Sequence, residues 1–449
     1  MVTLHHGHGP LISPVRRSCT CSDLRTLSQG RPADTQSSSG SGGPRGSRDP
    51  AYAAPVRTLR PLPVPTGDAV LDLLPLLATA VEGGLPHALH PHAADTAPHP
   101  SLRTGEPLGP GEDDPDDPTA VVVATSGSTG TPKGALLPAA ALRASAAATA
   151  ARLAPGPGSQ QWVLALPAHH VAGLQVLLRS VRAGTEPVVL PPGPFSAAAF
   201  AGATARATGD RLLTSLVPTQ LVRLLDAPGD AGEEARAALA RYDAVLVGSA
   251  ATPGALLERA RAAGARVVTT YGSSETCGGC VYDGVPLDGV VPALEEDRLT
   301  LAGPVLARGY RGLPGHPAFP GDRFRTDDTA VLEGGRVRVL GRVDDLITTG
   351  GLKVAPALVE EALAGTPGIG EVVVVGVPDE EWGQRVVAAV VPAGTAPTLA
   401  EVRERVGAAV ARHAAPRQLL LLAELPLRGP GKPDRAALRA LAAPPAPGG

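Results

Sequence analysis

One stretch of this chain restricts its fold and chemistry more than any other: a strand that runs straight into a loop of glycines, hydroxyl residues and a lysine. Residues 119–125 read TAVVVAT, and this run of β-branched side chains predicts a buried strand. Residues 126–134 follow as SGSTGTPKG. Glycine lets the backbone approach an anion, hydroxyl and N–H groups donate to phosphate oxygens, and lysine neutralises phosphate charge. We therefore predict a phosphate-binding loop made of Thr125, Ser126, Gly127, Ser128, Thr129, Gly130, Thr131 and Lys133.

The position of the lysine distinguishes this loop from that of the P-loop nucleoside triphosphatases. Their loop requires Gly immediately before the Lys and Ser or Thr after it, whereas here Pro132 precedes Lys133 and Gly134 follows it. Lysine is also rare, because Lys133, Lys353 and Lys432 are the only three lysines of the sequence. A guanidinium cannot replace a compact ammonium where one oxygen must be approached closely. We therefore expect chemistry at all three lysines.

Composition and charge exclude several classes of protein. A chain of 449 residues with 43% hydrophobic and 18% charged residues is typical of a folded protein with more than one domain. The 40 basic and 43 acidic residues leave a net charge of −3, which provides no basic surface for nucleic acid or anionic membranes. No apolar run reaches the ~20 residues that span a bilayer, and neither a signal peptide nor a disulfide framework is indicated. We expect a cytoplasmic protein that binds no nucleic acid and inserts into no membrane.

The chain divides into three predicted parts. Residues 1–50, rich in Ser, Gly, Pro, Arg and His without an apolar period, are predicted to be a disordered tail. Residues 51–340 alternate strands and helices, which predicts a large N-terminal α/β domain of layered sheets, largely parallel. Residues 341–449 are predicted to form a small α+β C-terminal domain. The predicted helices lie at 69–81, 138–153, 217–225, 253–263, 356–363, 399–413 and from 433, and the predicted strands at 162–166, 187–190, 244–247, 266–270, 372–377 and 386–391.

Three clusters of chemically active residue types are given no functional role. The acidic run EDDPDD at 112–117 is predicted to be a solvated turn, and the acidic residues 295–297 a turn between strands. Cys277 and Cys280 form a CxxC pair, but a zinc site needs two more ligands and no thioredoxin-like context surrounds the pair. Neither metal binding nor redox chemistry is therefore predicted for the two cysteines.

The phosphate loop and four later motifs resemble, in order and approximate spacing, those of the adenylate-forming acyl- and aryl-CoA ligases, over roughly residues 55–445. TSGSTGTPKG resembles their phosphate loop, and YGSSE at 271–275 resembles the loop that places an aromatic ring on adenine. In that loop a hydroxyl lies near the α-phosphate and a glutamate binds Mg²⁺. The resemblance thus implies that Glu275 is catalytic and binds the metal, and that Tyr271, Gly272 and Ser274 bind the nucleotide. Gly248 and Ser249 are also predicted to lie near the adenine, because they follow a strand.

Two motifs toward the C-terminus resemble the family's ribose site and its hinge. Thr326-Asp327 resembles the pair in which the aspartate binds the ribose hydroxyls, so Asp327 is the predicted ribose ligand. GRVDD at 341–345 resembles the hinge motif, in which Arg342 reaches the nucleotide and Asp344 is the pivot. The resemblance therefore implies that the small domain is mobile and joined to the large one by a hinge.

The last two motifs carry the remaining lysines. GGLK at 350–353 resembles the loop that faces coenzyme A in the thioester-forming state, which implicates Gly351 and Lys353. GKPDR at 431–435 resembles the motif whose lysine, here Lys432, bridges the carboxylate and the α-phosphate during adenylation. A carboxylate that attacks a phosphate must overcome the repulsion between two anions, and a cation on a mobile domain serves that need.

The acyl substrate is predicted from two segments. LPAHHVAGLQVLLRS at 166–180 and SLVPTQL at 215–221 resemble the branch of the family that activates o-succinylbenzoate in menaquinone biosynthesis. In that branch a histidine before a helix start lies at the acyl pocket, and it corresponds to His170, with His169 the weaker candidate. A buried structural histidine is the competing interpretation. The apolar wall of the pocket is predicted at Val171, Gly173 and Leu174.

The resemblance implies an ATP-dependent acid–CoA ligase that uses ATP, Mg²⁺, coenzyme A and a small-molecule carboxylate. Two alternatives share its first half-reaction: a ligase for another aryl or medium-chain carboxylate, and a stand-alone adenylation domain that loads a carrier protein. A catalytically inactive binding protein is disfavoured because the residues that carry the chemistry are retained, and a homo-oligomer is compatible with the sequence. The retained residues are Lys133, Glu275, Asp327, Arg342 and Lys432.

Overall fold

The first sheet carries the predicted phosphate loop between two of its strands. The computed structural model describes residues 56–125, 131–427 and 433–443, so the predicted tail and residues 126–130 lie outside the described part. Its strands lie side by side in the order β1 Thr58–Val64, β2 His87–Ala93, β3 Thr119–Thr125 and β4 Lys133–Pro138. β1 and β2 are parallel, as are β2 and β3, whereas β3 and β4 form an antiparallel pair.

Strand β4 was not predicted, although β3 was placed correctly. Its sequence, KGALLP, has no alternation of apolar and polar residues, because all positions after Lys133 are buried. The hairpin pairs Thr125 with Lys133 and Ala124 with Gly134. Glycine is required at 134, since a Cβ there would lie 2.7 Å from a methyl carbon of Val122. The phosphate loop therefore joins two strands of one hairpin.

The second sheet is the parallel sheet that the sequence predicted. Its order is β11-β10-β9-β8-β7-β5-β6, and the strands from β6 to β9 are all parallel, while β10 and β11 are antiparallel additions. β8 is buried at all four positions, as expected for a strand covered on both faces. The strands are β5 Gln160–Leu164, β6 Val188–Val189, β7 Arg211–Leu216, β8 Ala244–Val247, β9 Val267–Ser273, β10 Gly278–Tyr282 and β11 Val285–Pro286.

Helices cover both of these sheets. Those at 139–153, 218–226 and 254–262 lie within one residue of the predicted positions, whereas those at 197–206 and 229–240 were not predicted. The one difference at the N-terminal end is that residues 69–81 divide into a 3₁₀ helix, Gly67–Leu73, and α1. The core residues include the fully buried Trp162 and Leu174. The helices are α1 Leu74–Val81, α2 Ala139–Leu153, α3 Val171–Ala183, α4 Ala197–Arg206, α5 Pro218–Asp226, α6 Gly229–Ala240 and α7 Gly254–Ala262.

The third sheet is entirely antiparallel, which the prediction of largely parallel sheets did not include. Its strands follow one another in chain order, and the predicted acidic turn comprises Glu296 and Asp297, with Glu295 ending the strand before it. The strands are β12 Val291–Glu295, β13 Arg298–Ala302, β14 Arg323–Glu333 and β15 Arg336–Arg342.

The fourth sheet forms the C-terminal α+β part. Two long antiparallel strands at its centre have helices packed on both faces. The backbone N–H of Glu401 donates to the hydroxyl oxygen of Thr398, and this cap starts the helix at Leu399, the predicted residue. The elements are β16 Ile347–Thr349, β17 Leu352–Val354, α8 Pro356–Leu363, β18 Gly368–Asp379, β19 Gly383–Ala393, α9 Leu399–Ala409, β20 Gln418–Leu421 and α10 Arg435–Ala442.

The predicted α/β class with layered sheets is confirmed, while the domain boundary near residue 341 and the mobility of the small part stay predictions. Within the described ranges, no helix is long and apolar enough to cross a bilayer. One local prediction is wrong: in the acidic run at 112–117, Glu112 is buried rather than solvated. Its carboxylate accepts hydrogen bonds from the buried Arg311 guanidinium and from the backbone N–H groups of Gly312 and Gly109.

Candidate active site

The lysine of the phosphate loop lies beside an aromatic cluster from the segment between β13 and β14. Lys133 Nζ is 3.3 Å from Nε2 of His316 and 5.1 Å from the ring centre of Tyr310. The rings of Tyr310 and His316 meet edge to face, with centres 4.8 Å apart. Thr131, at the described end of the loop, is exposed. The structure therefore brings Lys133 against two residues that sequence reasoning did not single out.

Glu275 is buried at the end of this cluster. It lies in the 3₁₀ turn Ser274–Thr276 between β9 and β10, with 7% of its surface exposed. The hydroxyl of Tyr310 donates to Glu275 Oε1 at 2.7 Å. Burial and the nearby carboxylate raise the pKa of Tyr310, so its hydroxyl stays protonated and remains a donor. Tyr310 thus links the predicted metal carboxylate to the predicted phosphate-loop lysine.

A single carboxylate is one accepted way to hold Mg²⁺. Among the described residues, no group of three His, Cys, Asp or Glu side chains could hold a metal ion. Mg²⁺ is usually bound by one or two carboxylates together with substrate phosphates and water, not by an all-protein cage. The isolated, buried Glu275 fits that mode of binding.

A second cluster surrounds the predicted adenine residue Tyr271. The hydroxyl of Tyr271 donates to Asp328 Oδ2 at 2.6 Å. Arg342 donates to Asp327 Oδ2 at 3.1 Å and lies 3.9 Å from Asp328 Oδ1. The Asp327 side chain is 53% exposed and that of Asp328 only 20%. The two predicted nucleotide residues Tyr271 and Arg342 therefore converge on Asp328, the residue next to the predicted ribose ligand.

Carboxylates of the two clusters act on each other's protonation. The pKa of Asp328 is raised, chiefly by burial, and the negative charges of Asp327 and Glu275 act in the same direction. The hydrogen bond from Tyr271 and the charge of Arg342 oppose that shift. The same Glu275 carboxylate also influences the pKa of His316. Glu275 thus acts electrostatically on both Asp328 of β14 and His316 of the segment before β14.

A cavity beside these clusters is lined by both nucleotide and acyl candidates. Gly248 and Ser249 follow β8, and Gly272 lies in β9; all three line the cavity together with Val171 and Ala172 of α3. Ser249 has φ +69°, a left-handed conformation that is uncommon for serine and that frequently marks a functional loop. The structure therefore brings these nucleotide and acyl candidates together around one cavity, and their roles stay predictions.

The acyl candidates lie at the start of α3, and of the predicted wall residues Val171 lines the cavity. His170 is exposed as the residue preceding α3, and its ring centre is 4.3 Å from that of His169. Gly173 and Leu174 are buried behind the cavity wall. A Cβ at Gly173 would lie 2.3 Å from the carbonyl oxygen of Pro167, so glycine allows α3 to start against the preceding turn.

Sequence reasoning missed Arg179, which lines the same cavity about two helical turns after Ala172 of α3. Its guanidinium is stacked over Trp162, 4.9 Å from the ring centre, and Nη2 donates to the hydroxyl of Tyr282 at 3.3 Å. Burial lowers the pKa of Arg179. Among the described residues Arg179 has no carboxylate partner, since Tyr282 is its one interacting titratable group, and its Nε has no hydrogen-bond partner. A charged residue inside the apolar run VLLRSV was the available signal.

The buried amide of Gln175 also lines this cavity. Its Nε2 donates to the carbonyl of Cys277 at 2.8 Å, and its Oε1 has no partner within the described ranges. Cys277 and Cys280 are fully buried, and burial raises the pKa of Cys280 to about 12. Burial therefore keeps the Cys280 thiol protonated.

The predicted coenzyme A and hinge residues lie on the C-terminal side. Gly351, with φ +77°, precedes β17, which carries the exposed Lys353. Asp344 is exposed in the 3₁₀ turn Val343–Asp345 that links β15 to β16. Within the described ranges none of the three makes a side-chain hydrogen bond or ion pair with the clusters above. Lys432, and the loop residues Ser126 to Gly130, lie outside the described residues.

Comparison with known proteins defines the class. The model of the AMP-binding enzyme family matches residues 66–310, and that of the AMP-binding enzyme C-terminal domain matches residues 358–432. The chain therefore belongs to the AMP-binding enzyme family, which confirms the resemblance that the motifs indicated.

Individual proteins that are similar to this chain carry the names of CoA ligases or synthetases. The chain is 46% identical over 389 residues to the probable 2-succinylbenzoate–CoA ligase of Mycobacterium tuberculosis (strain ATCC 25618 / H37Rv), covering 85% of this chain and 97% of that protein. It is 31% identical over 398 residues to the medium/long-chain-fatty-acid–CoA ligase FadD8 of the same strain, covering 80% and 67%. Among solved structures, it resembles the o-succinylbenzoate CoA synthetase of Bacillus subtilis in complex with the acyl-adenylate intermediate, with TM-score 0.60, 27% identity, and 72% and 69% coverage.

Proposed function

We propose that this protein is an ATP-dependent acid–CoA ligase that converts o-succinylbenzoate to o-succinylbenzoyl-CoA in menaquinone biosynthesis. Membership of the AMP-binding enzyme family supports the adenylate-forming chemistry. The 46% identity to a probable 2-succinylbenzoate–CoA ligase over nearly its whole length supports the substrate. The observation that carries the substrate assignment is the buried Arg179.

A buried guanidinium without a carboxylate partner favours a substrate with a second negative charge. Removing an ion from water costs several kcal/mol unless a partner charge compensates it. o-Succinylbenzoate has two carboxylates, and the reaction consumes only the one on the succinyl arm. The second carboxylate can pair with Arg179, while Val171, Ala172 and Leu166 line the same cavity with apolar surface. A fatty acid would leave Arg179 unpaired.

The reaction has two steps that draw on different residues. In the first, a carboxylate oxygen forms a bond to the α-phosphorus of ATP while the bond to pyrophosphate breaks. Lys133 and Lys432 supply positive charge for that step, and Glu275 would hold Mg²⁺, which neutralises phosphate charge when bound. In the second, the sulfur of coenzyme A forms a bond to the acyl carbon and AMP leaves. Gly351 and Lys353 are assigned to that step, with Asp344 as the pivot between the two.

The remaining assignments concern the nucleotide. We assign the adenine to Tyr271 with Gly248, Ser249 and Gly272, and the ribose to the aspartate pair 327–328 beside Arg342. His170, exposed before α3, is assigned to the mouth of the acyl pocket. Thr125 and Ser126 to Thr131, with Ser274, are assigned to the phosphates.

A panel of carboxylates tests the proposal. ATP-dependent release of pyrophosphate and formation of acyl-CoA are measured with o-succinylbenzoate, benzoate and octanoate. We expect o-succinylbenzoate to exceed the other two by at least ~10²-fold in kcat/KM, the scale of one lost buried polar contact. Equal turnover of octanoate would favour a general acyl-CoA ligase, the alternative suggested by the similarity to a fatty-acid–CoA ligase.

Variants of Arg179 link that preference to the structure. Arg179→Met removes the charge but keeps much of the stacking surface over Trp162, and should abolish most of the preference for o-succinylbenzoate. Arg179→Lys keeps a charge without the planar fork and should retain part of it. The KM for ATP should stay near the wild-type value in both. An unchanged preference in Arg179→Met would remove Arg179 from substrate recognition.

A further inference from the structure

His316 is bound in a way that fixes which of its ring nitrogens carries the proton. The backbone N–H of Ala318 donates to His316 Nδ1 at 3.1 Å, so Nδ1 provides a lone pair. Burial and the neighbouring Lys133 lower the pKa of His316, while Asp327 and Glu275 act in the opposite direction. A neutral imidazole has one protonated and one unprotonated nitrogen. The proton of His316 therefore resides on Nε2.

The protonated Nε2 of His316 faces another donor. Lys133 Nζ lies 3.3 Å away, and a lysine ammonium has three donors and no acceptor. Two donors at this distance cannot satisfy each other, but both can donate to one anionic oxygen between them. Lys133 belongs to the predicted phosphate loop, and Tyr310, beside the pair, donates the 2.7 Å hydrogen bond to Glu275.

We infer that His316 is a second ligand of the polyphosphate, donating from Nε2 to a β- or γ-phosphate oxygen of ATP, and to pyrophosphate once it is released, together with Lys133. This assignment rests on the proposed function for its phosphate substrate. The structure holds the ring in place: Tyr310 meets it edge to face, and the buried ion pair of Glu112 with Arg311 anchors the segment. His316 stands 183 residues from Lys133 in the chain.

Direct binding of inorganic pyrophosphate with Mg²⁺ tests this inference without any acyl substrate. Isothermal titration compares the wild type with His316→Ala, His316→Gln and, as a control, Leu313→Ala, which changes an exposed apolar residue of the same segment. We expect His316→Ala to weaken pyrophosphate binding by roughly 10-fold to 100-fold, the scale of a hydrogen bond to a charged group. His316→Gln retains an N–H donor and should recover most of the affinity, and Leu313→Ala should bind normally.

Kinetics then separate a phosphate contact from a structural role. In His316→Ala the KM for ATP should rise by a similar factor while the KM for the carboxylate stays unchanged. Any of three results would overturn the assignment. His316→Ala could bind pyrophosphate with wild-type affinity, Leu313→Ala could weaken pyrophosphate binding as much as His316→Ala, or His316→Gln could bind no better than His316→Ala. Failure to activate o-succinylbenzoate would contradict the proposed function alone, because the pyrophosphate titration contains no carboxylate.

Discussion

The hydroxyl of Tyr271 donates a 2.6 Å hydrogen bond to Asp328, and not to the neighbouring Asp327. Asp327 instead faces Arg298, at 3.5 Å, and Arg342 at the solvent edge of the site. Asp328 is therefore held against the residue predicted to lie on adenine. We propose it as the stronger of the two candidates for the ribose carboxylate.

This contact gives a prediction that separates two adjacent aspartates. Asp328→Ala should raise the KM for ATP by roughly 10-fold to 100-fold, because hydrogen bonds to a charged carboxylate are lost. Asp327→Ala, the matched control, should raise it by less than about 3-fold, because an exposed ion pair contributes little. Steady-state kinetics with varied ATP provide the comparison. The reverse order would restore Asp327 as the ribose ligand.

The raised pKa of Asp328 predicts how stability depends on pH. Between its unfolded pKa, near 3.8, and its higher folded pKa, the folded protein binds more protons than the unfolded chain. Stability contributed by the protonated carboxyl is therefore lost as the pH rises through the folded value. Asp328→Asn cannot ionise, yet its amide oxygen can still accept from Tyr271. The melting temperature of this variant, relative to the wild type, should increase between pH 4 and pH 7, and a constant difference would contradict the burial argument.

Replacing Gly173 by a larger residue should create a packing defect at the acyl pocket. In Gly173→Ala the new Cβ would lie 2.3 Å from the carbonyl oxygen of Pro167, so the start of α3 must shift. We expect a lower melting temperature and a higher KM for the carboxylate, with the KM for ATP little changed. Gly202→Ala is the control, because Gly202 lies in α4 with open space around it and should gain up to ~1 kcal/mol of stability. Equal effects of the two variants would show that helix propensity alone is responsible.

Lys432 should serve only the first half-reaction. Lys432→Ala is expected to lose adenylate formation by about 10²–10³-fold, the scale of one group aimed at a developing charge. Conversion of pre-made acyl-adenylate and coenzyme A to thioester should continue. Single-turnover assays of each half-reaction make the comparison, and an equal loss in both would contradict two separate geometries.

Asp344 should show the opposite pattern. Proline fixes φ, so Asp344→Pro is expected to leave pyrophosphate release largely intact and to stop thioester formation. Asp344→Ala, which keeps the backbone free, should retain both steps. An unaffected overall rate in Asp344→Pro would remove this residue from the hinge.

The sequence correctly predicted those elements whose formation depends on neighbouring residues along the chain. Strand β3, strand β8 and helix α8 begin and end where the side-chain pattern predicts, because burial on one or both faces imposes a period on the residues themselves. The phosphate loop, YGSSE and the GK motif indicated the family for a similar reason. Each concentrates in a few consecutive residues the donors and charges that phosphate chemistry needs.

The tertiary structure alone decided which distant groups meet. Strand β4 is buried on both faces and so lacks a period, and the burial of Glu112 depends on Arg311, 199 residues away. The apolar run around Arg179 indicates its burial, but only the fold shows that no carboxylate among the described residues reaches it. The preference of Tyr271 for Asp328 over Asp327 and the approach of His316 to Lys133 likewise follow from the packing of separate strands and loops. Hydrogen bonds and ion pairs depend on distances of a few ångströms, and positions along a chain do not contain those distances until the sheets have packed.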